Sequence, residues 1–185
     1  LANNLRPGSL LIDMGTTSVL KTRAFATKLE MSGSEWVDAP VSGGTTAAES
    51  GTLTIMVGGS DQAFQQALPW LQILGERITH VGDTGAGQIA KSANQMIVGL
   101  TIAAVAEAFT LANANGVEPE KIREALFGGF AHSRILELHG ERMIKNDFQA
   151  RAKCSIQRKD VKEAIELASA SNCNLPSLQT NLKLW

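Results

Sequence analysis

The feature that most constrains the fold is a change near residue 84, where alternating strand and helix signals give way to helix signals alone. Four β-rich segments precede this point. One helical pattern lies between the first and second segments, and another lies between the third and fourth. Such alternation predicts an α/β sheet with helices packed against it. The β-rich segments are Ser9–Met14, Trp36–Val41, Thr52–Val57 and Arg77–Val81.

We therefore predict two domains, α/β over residues 1–83 and all-α over residues 84–185. The second domain opens with a long apolar helix from about Ala86 that ends at Gly116, a good C-cap. Its apolar residues cover more than one face, so we expect other helices or a second subunit to cover it. Ala93–Ala114 is long enough to cross a bilayer, but Glu107 near its middle favours a core helix of a soluble protein.

Composition excludes several classes of function. Lys plus Arg is 17 and Asp plus Glu is 18, so no basic excess favours nucleic acid or a membrane surface. Cys154 and Cys173 form no CxxC pair, which disfavours a disulfide framework or a structural zinc site and favours a reduced, cytoplasmic compartment. His80, His132 and His139 lack converging ligands, so we expect no metal site.

The densest candidate for chemistry is Asp38-Ala39-Pro40-Val41-Ser42-Gly43-Gly44, followed by Gly51-Thr52-Leu53. Glycines directly after a strand allow a ligand to approach the backbone closely. Successive N–H groups of Gly43 and Gly44, with the Ser42 hydroxyl, form a potential nest for a small carboxylate. The alternative is an ordinary glycine-rich turn.

A second candidate lies at the start of the long helix, where Lys91 and Asn94 stand three residues apart and share one side. A lysine among apolar neighbours is desolvated, which favours its neutral form and suits general acid and base work. The alternative is a surface lysine whose stem covers apolar neighbours. A third and weaker candidate is Lys159, beside Asp160 at a predicted helix start near Arg158, where charged residues are common.

Together these motifs resemble the β-hydroxyacid dehydrogenase family, above all 3-hydroxyisobutyrate dehydrogenases and tartronate semialdehyde reductases. D-x-P-V-S-G-G with G-T-L resembles the substrate-binding signature, G-x-x-x-K-x-x-N the catalytic signature, and K-D-V the late K-D-L cofactor motif. Asp13-Met14-Gly15-Thr16-Thr17 resembles the loop after a Rossmann strand that touches the nicotinamide side of the cofactor. The motifs occur in the family's order and cover the whole chain.

The resemblance implies a fold and a set of roles. The fold would be the C-terminal part of a Rossmann-type domain, then a helical domain like that of 6-phosphogluconate dehydrogenase. Lys91 would be the general acid and base, and Asn94 would hold substrate beside it. Ser42, Gly43 and Gly44 would bind the substrate carboxylate, and Thr16 and Lys159 would contact NAD or NADP. The substrate would be a short hydroxy acid or its semialdehyde, and the enzyme a homo-oligomer, either a dimer or a tetramer.

The sequence departs from the family in one important respect. No G-x-G-x-x-G motif follows a strand, so we expect a fragment that lacks the N-terminal dinucleotide-binding unit and is clipped after Trp185. The residues that select NAD or NADP are then absent too. Two other readings are a non-catalytic scaffold of this fold, disfavoured by Lys91, and a phosphorylated-sugar-acid dehydrogenase, which needs a basic cluster not found beside Ser42.

Overall fold

A computed structural model describes residues 5–149 and 151–185 of the chain. They form five strands and eight helices, with strands confined to the first half. In chain order these are β1 (Leu10–Asp13), α1 (Val19–Glu30), β2 (Glu35–Asp38), β3 (Val41–Ser42), α2 (Gly44–Ser50), β4 (Leu53–Gly58), α3 (Asp61–Leu74), β5 (Gly75–Gly82), α4 (Ala86–Ala114), α5 (Pro119–Leu126), α6 (Arg134–Ile144), α7 (Cys154–Ala170) and α8 (Pro176–Leu182).

The strands form one mixed sheet. β1 pairs with β2 in parallel, and β4 pairs with β5 in parallel. β2 and β3 are one interrupted strand antiparallel to β4, because Asp38 pairs with Gly58 and Val41 with Ile55 in the same register. Pro40 causes the interruption since it has no N–H to donate, but its carbonyl still accepts a hydrogen bond from the Met56 N–H at 3.0 Å.

The chain divides into two compact units, and the division between them does not coincide with the predicted boundary near residue 84. One unit comprises Leu1–Asn94 with Glu166–Cys173, and the other Gln95–Ile165 with Asn174–Trp185. Helix α4 therefore contributes its first turns to one unit and the remainder to the other. The predicted boundary near residue 84 marks where strands stop, and the two-domain division at that point stays a prediction.

The core of the first unit lies between the sheet and α3. Val37, Ile55 and Val57 of the sheet are fully buried, and so are Ala67 and Leu71 of α3. The Ser60 side chain caps α3 by accepting the Ala63 N–H at 3.1 Å. Pro69 lies inside this helix, yet α3 continues through it to Leu74. Packing of the apolar stripe against the sheet outweighs the backbone bond that proline removes.

The second unit contains two smaller apolar clusters. Val105 and Phe109 of α4 pack with Leu136 of α6, and Val161 of α7 packs with Leu178 of α8. The apolar faces of α4 are only partly covered: Ile97 and Leu111 are 67% and 68% exposed. By length and composition alone, α4 would also be long enough and apolar enough to span a membrane.

Two predicted elements need correction. Helix α2 begins at Gly44, directly after Gly43, in a segment for which no helix was predicted. Helix α7 begins at Cys154 rather than near Arg158, so Lys159 and Asp160 lie inside the helix and not at its start. Gln157 in the added turn donates from Nε2 to the Gln95 carbonyl at 2.8 Å, so a contact with a distant helix holds residues that the local charge pattern left outside α7.

Candidate functional site

The glycine-rich segment after β2 has the conformation that a close backbone approach requires. Ser42 ends the short strand β3 and is partly buried. Gly43 and Gly44 have φ angles of 133° and 69°, in the region that favours glycine. A Cβ on Gly43 would also lie 2.5 Å from the Cβ of Ala47. The turn therefore depends on glycine at this point and presents exposed backbone directly after Ser42.

Lys91 lies in the second turn of α4 and is only 8% exposed. The structure thus does not support the alternative of an ordinary surface lysine. Asn94 follows one turn later on the same side and is partly buried. Burial of a lysine ammonium group is costly unless its surroundings stabilise it, which makes Lys91 a candidate for a functional residue.

The first turn of α4 is held by Asp38, the last residue of β2. Its carboxylate is fully buried and accepts hydrogen bonds from the N–H groups of Gly85 at 2.7 Å and Gln88 at 2.9 Å. These N–H groups belong to the set that a helix leaves unpaired at its start. Because Asp38 occupies them, the Gly85-Ala86-Gly87 turn does not offer them to the pyrophosphate of a dinucleotide.

Gln88 joins this helix turn to the loop that follows β1. Its side chain is 1% exposed. The amide oxygen accepts the Thr17 N–H at 3.1 Å, and the amide nitrogen donates to the Gly15 carbonyl at 2.8 Å. The Gly15 N–H in turn donates to Asp13 Oδ1 at 2.9 Å, forming an Asx turn. The backbone on both sides of Thr16 is thereby fixed.

Lys159 belongs to the other unit, where acidic side chains hold it. Its Nζ lies 2.9 Å from Asp160 Oδ1 and 3.1 Å from Glu163 Oε2. Partial burial lowers the pKa of Lys159, but hydrogen bonds to the two carboxylates raise it more, so the net pKa is raised. Gln95 supports the arrangement by donating from Nε2 to Asp160 Oδ2 at 2.7 Å. Lys159 is therefore a firmly positive group at neutral pH.

One polar network joins three segments that carry or precede predicted site residues: the strand before Ser42, the start of α4 before Lys91, and the loop that contains Thr16. Asp38 connects the strand leading to Ser42 with the start of α4, and Gln88 connects that start with the loop containing Thr16. Lys91 lies one turn beyond Gln88. Sequence reasoning missed both connecting residues, although Asp38 and Gln88 stand within the motifs that drew attention. The available signals were an acidic residue ending an apolar strand and a glutamine directly after Gly-Ala-Gly.

Within residues 5–149 and 151–185, no group of three His, Cys, Asp or Glu side chains is arranged to hold a metal ion. His132 lies instead 2.8 Å from Glu137, and His80 lies 3.5 Å from Asp61.

Comparison with known families covers nearly the whole chain. Residues 85–185 match the family described as NAD-binding of NADP-dependent 3-hydroxyisobutyrate dehydrogenase. Residues 1–82 match the family described as NAD binding domain of 6-phosphogluconate dehydrogenase.

Similar proteins carry related names. The 2-hydroxy-3-oxopropionate reductase of Escherichia coli (strain K12) is 46% identical over 96% of this chain and 61% of its own length. The 3-hydroxyisobutyrate dehydrogenase of Pseudomonas aeruginosa is 33% identical over 90% of this chain and 58% of its own length. The chain thus spans about three fifths of these relatives.

Solved structures show the same fold. The Mycobacterium tuberculosis 3-hydroxyisobutyrate dehydrogenase, determined with L-serine, has a TM-score of 0.92 and 29% identity, over 99% of this chain and 65% of that one. The Plasmodium falciparum 6-phosphogluconate dehydrogenase has a TM-score of 0.75 over 98% of this chain and 42% of that one. Its identity is 17%, so it bears on the fold alone.

Proposed function

The chain belongs to the β-hydroxyacid dehydrogenase family, and on that premise we propose that the protein transfers a hydride between NAD or NADP and a short hydroxy acid or its semialdehyde. The predicted family and fold class, a Rossmann-type part followed by a helical domain, are confirmed. The prediction of NAD or NADP as the family's cofactor is confirmed too, since both matching families are described by NAD binding.

The described residues fit the nicotinamide end of such a cofactor. Thr16 lies in the loop beyond the carboxyl end of β1, where open α/β sheets bind ligands. Gln88 and Asp13 fix the backbone on either side of it. When bound, the cofactor supplies the hydride in reduction and accepts it in oxidation. Lys159, held by Asp160 and Glu163, is the second proposed cofactor contact.

Lys91 is the proposed general acid and base, and its burial is the observation that carries the proposal. In reduction, its ammonium group donates a proton to the carbonyl oxygen as hydride reaches the carbonyl carbon. In oxidation, the neutral amine accepts the hydroxyl proton as hydride leaves the carbon. Asn94, one turn away, is proposed to hold the substrate oxygen beside the amine.

The proposed substrate is small and carries a carboxylate. Ser42 donates its hydroxyl, and Gly43 and Gly44 their backbone N–H groups, to this carboxylate. The similarity to a 2-hydroxy-3-oxopropionate reductase favours that semialdehyde, whose reduction yields glycerate. The structure of the M. tuberculosis relative with L-serine is compatible with the same kind of pocket, because serine is also a three-carbon β-hydroxy acid.

We further propose a cytoplasmic homo-oligomer, a dimer or a tetramer, without nucleic acid or membrane partners. The incompletely covered apolar surface of α4, where Ile97 and Leu111 are mostly exposed, supports the oligomer. Large exposed apolar side chains on one helix are typical of interfaces between subunits.

The test is turnover of 2-hydroxy-3-oxopropionate with NADH and with NADPH by the whole protein. Replacing Lys91 with Ala should lower kcat about 100- to 10,000-fold, the usual contribution of general acid and base catalysis. The matched control is Lys21→Ala, which removes an exposed lysine of α1. Activity of Lys91→Ala near that of the control would contradict the proposed role, and inactivity of the unaltered protein on all short hydroxy acids would favour a non-catalytic scaffold.

A further inference from the structure

We propose that Asp38 and Gln88 are positioning residues, which set the first turns of α4, and so Lys91, against the loop that carries Thr16. The inference rests on the proposed function, because it concerns the position of Lys91 as the general acid and base. Neither residue is expected to touch substrate, since Asp38 is fully buried and Gln88 is 1% exposed. Their polar atoms are directed instead at backbone groups of other segments.

Asp38 controls where α4 begins. Both of its carboxylate oxygens accept a backbone N–H, from Gly85 and Gln88, at 2.7 and 2.9 Å. Bonds to a charged acceptor are shorter and stronger than neutral ones, and the positive end of a helix dipole favours a carboxylate there. The same residue pairs with Gly58 of β4. The start of α4 is therefore tied to the sheet at one defined point.

Two glycines, Gly58 and Gly87, allow the start of α4 to lie in close contact with the sheet. A Cβ on Gly58 would lie 2.7 Å from Asp38 Oδ1 and 2.7 Å from the Gly87 nitrogen. A Cβ on Gly87 would lie 2.6 Å from the Asp38 carbonyl oxygen and would also overlap the Met56 carbonyl oxygen. The helix turn is thus in direct backbone contact with two strands, and the Asp38 side chain fills the space between them.

Gln88 hydrogen-bonds the start of α4 to the loop after β1. A primary amide has one acceptor end and one pair of donors, and here each end meets a different backbone group. The Thr17 N–H donates to the oxygen and the Gly15 carbonyl accepts from the nitrogen, at 3.1 and 2.8 Å. The two bonds span Thr16, so the loop cannot shift relative to α4 without breaking at least one.

The functional consequence concerns the distance between the proton donor and the cofactor loop. Lys91 follows Gln88 by one helical turn, so both sit on the same short rigid segment. Catalysis depends on such spacing, and a misplacement of about 1 Å can cost about 100-fold in rate. Loss of the Gln88 bonds should therefore reduce kcat although the side chain touches no reactant.

The experiment compares two conservative variants with matched controls, in the whole protein. Gln88→Met keeps the length of the side chain and removes both bonds, and Asp38→Asn keeps its shape but replaces one acceptor with a donor. The controls are Gln66→Met and Asp61→Asn, the same changes at exposed positions of α3. We measure kcat and KM for 2-hydroxy-3-oxopropionate, and hydrogen–deuterium exchange of the amides in residues 14–18 and 85–88.

We expect Gln88→Met to lower kcat about 10- to 100-fold, with substrate KM changed less than about threefold. Exchange at the Thr17 amide should accelerate, while the controls stay unchanged. Asp38→Asn should accelerate exchange at Gly85 or Gln88 and lower kcat in the same way. Unchanged kcat in a variant whose loop amides exchange faster would overturn the inference, because the loop would then be loosened without consequence.

The exchange measurement also separates this inference from the proposed function. If Lys91→Ala keeps its turnover, Lys91 is not the proton donor and the proposed function fails. If instead Lys91→Ala loses turnover while Gln88→Met retains it, the proposed function stands and the positioning role fails. If the loss in Gln88→Met disappears when rates are corrected for the folded fraction, the residue is merely structural, and the inference is overturned.

Discussion

Replacing Gly87 with Ala is the most direct test of how closely the start of α4 packs on the sheet. The added methyl group would overlap the Met56 carbonyl oxygen and lie 2.6 Å from the Asp38 carbonyl oxygen and 2.9 Å from Asp38 Oδ2. Two of these three atoms are backbone atoms of strands, and the third belongs to a carboxylate whose two oxygens each accept a backbone hydrogen bond. None can move away as the end of a flexible side chain could.

The net effect is the difference between two opposing contributions. Alanine is favoured over glycine inside a helix by about 1 kcal/mol, and overpacking a close contact costs about 1–3 kcal/mol or more. Because contacts under 3 Å with backbone oxygens lie at the severe end, we expect Gly87→Ala to lower the free energy of unfolding by about 2 kcal/mol. For a chain of this size, that corresponds to a fall in Tm of roughly 4–8 °C.

Urea unfolding followed by circular dichroism measures this difference, with Tm as a second readout. The matched control is Gly129→Ala, since the nearest atom to a Cβ there, the Leu126 carbonyl oxygen, is 3.8 Å away. The control should stay within about 0.5 kcal/mol of the unaltered protein. Stability of Gly87→Ala equal to that of the control would show that α4 does not rest on the strands as described, and would weaken the argument for Asp38 as well.

Three further predictions concern the site, the pH dependence and the assembly. Ser42→Ala should weaken binding of the carboxylate substrate by about 1.5–3 kcal/mol and leave dinucleotide binding unchanged, in separate titrations; an equal loss for both ligands would contradict the assignment. Burial, followed by the charges of Arg142 and Arg151, lowers the pKa of His139 from its ordinary 6.5, so the unfolded chain binds the proton more tightly. Stability should therefore fall as pH decreases below about 6.5, and His139→Gln should flatten that fall in urea titrations at several pH values; identical profiles would refute this cause. Finally, Ile97→Lys should shift sedimentation toward monomer on dilution, and a mass unchanged at every concentration would count against an interface on α4.

Local signals in the sequence were sufficient for most of the fold. The predicted segments Ser9–Met14 and Thr52–Val57 correspond to β1 and β4 within one residue at each end, and Gly116 follows the end of the long helix by two residues. These features depend on residues within a few positions of each other, so pattern reasoning can find them. The interruption at Pro40 was predictable for the same reason, because a missing N–H is a property of one residue.

Local signals failed where a distant contact decides the outcome. Pro69 does not end α3, because the helix is held by burial of Leu71 and Ala67 against the sheet. Helix α7 begins earlier than its charged residues indicated, and Gln157 in the added turn is bonded to the Gln95 carbonyl. In both cases tertiary packing outweighs a local preference of the chain.

The same distinction applies to the candidate site. The sequence by itself determined the residue types of the family motifs, including Ser42, Lys91 and Asn94, because their spacing along the chain is what defines those motifs. Only the tertiary structure decided that Lys91 is buried and that Asp38 and Gln88 join the start of α4 to the strand and the loop. Those bonds link segments far apart in the chain, and hydrogen bonding between such segments leaves no periodic pattern in a single sequence.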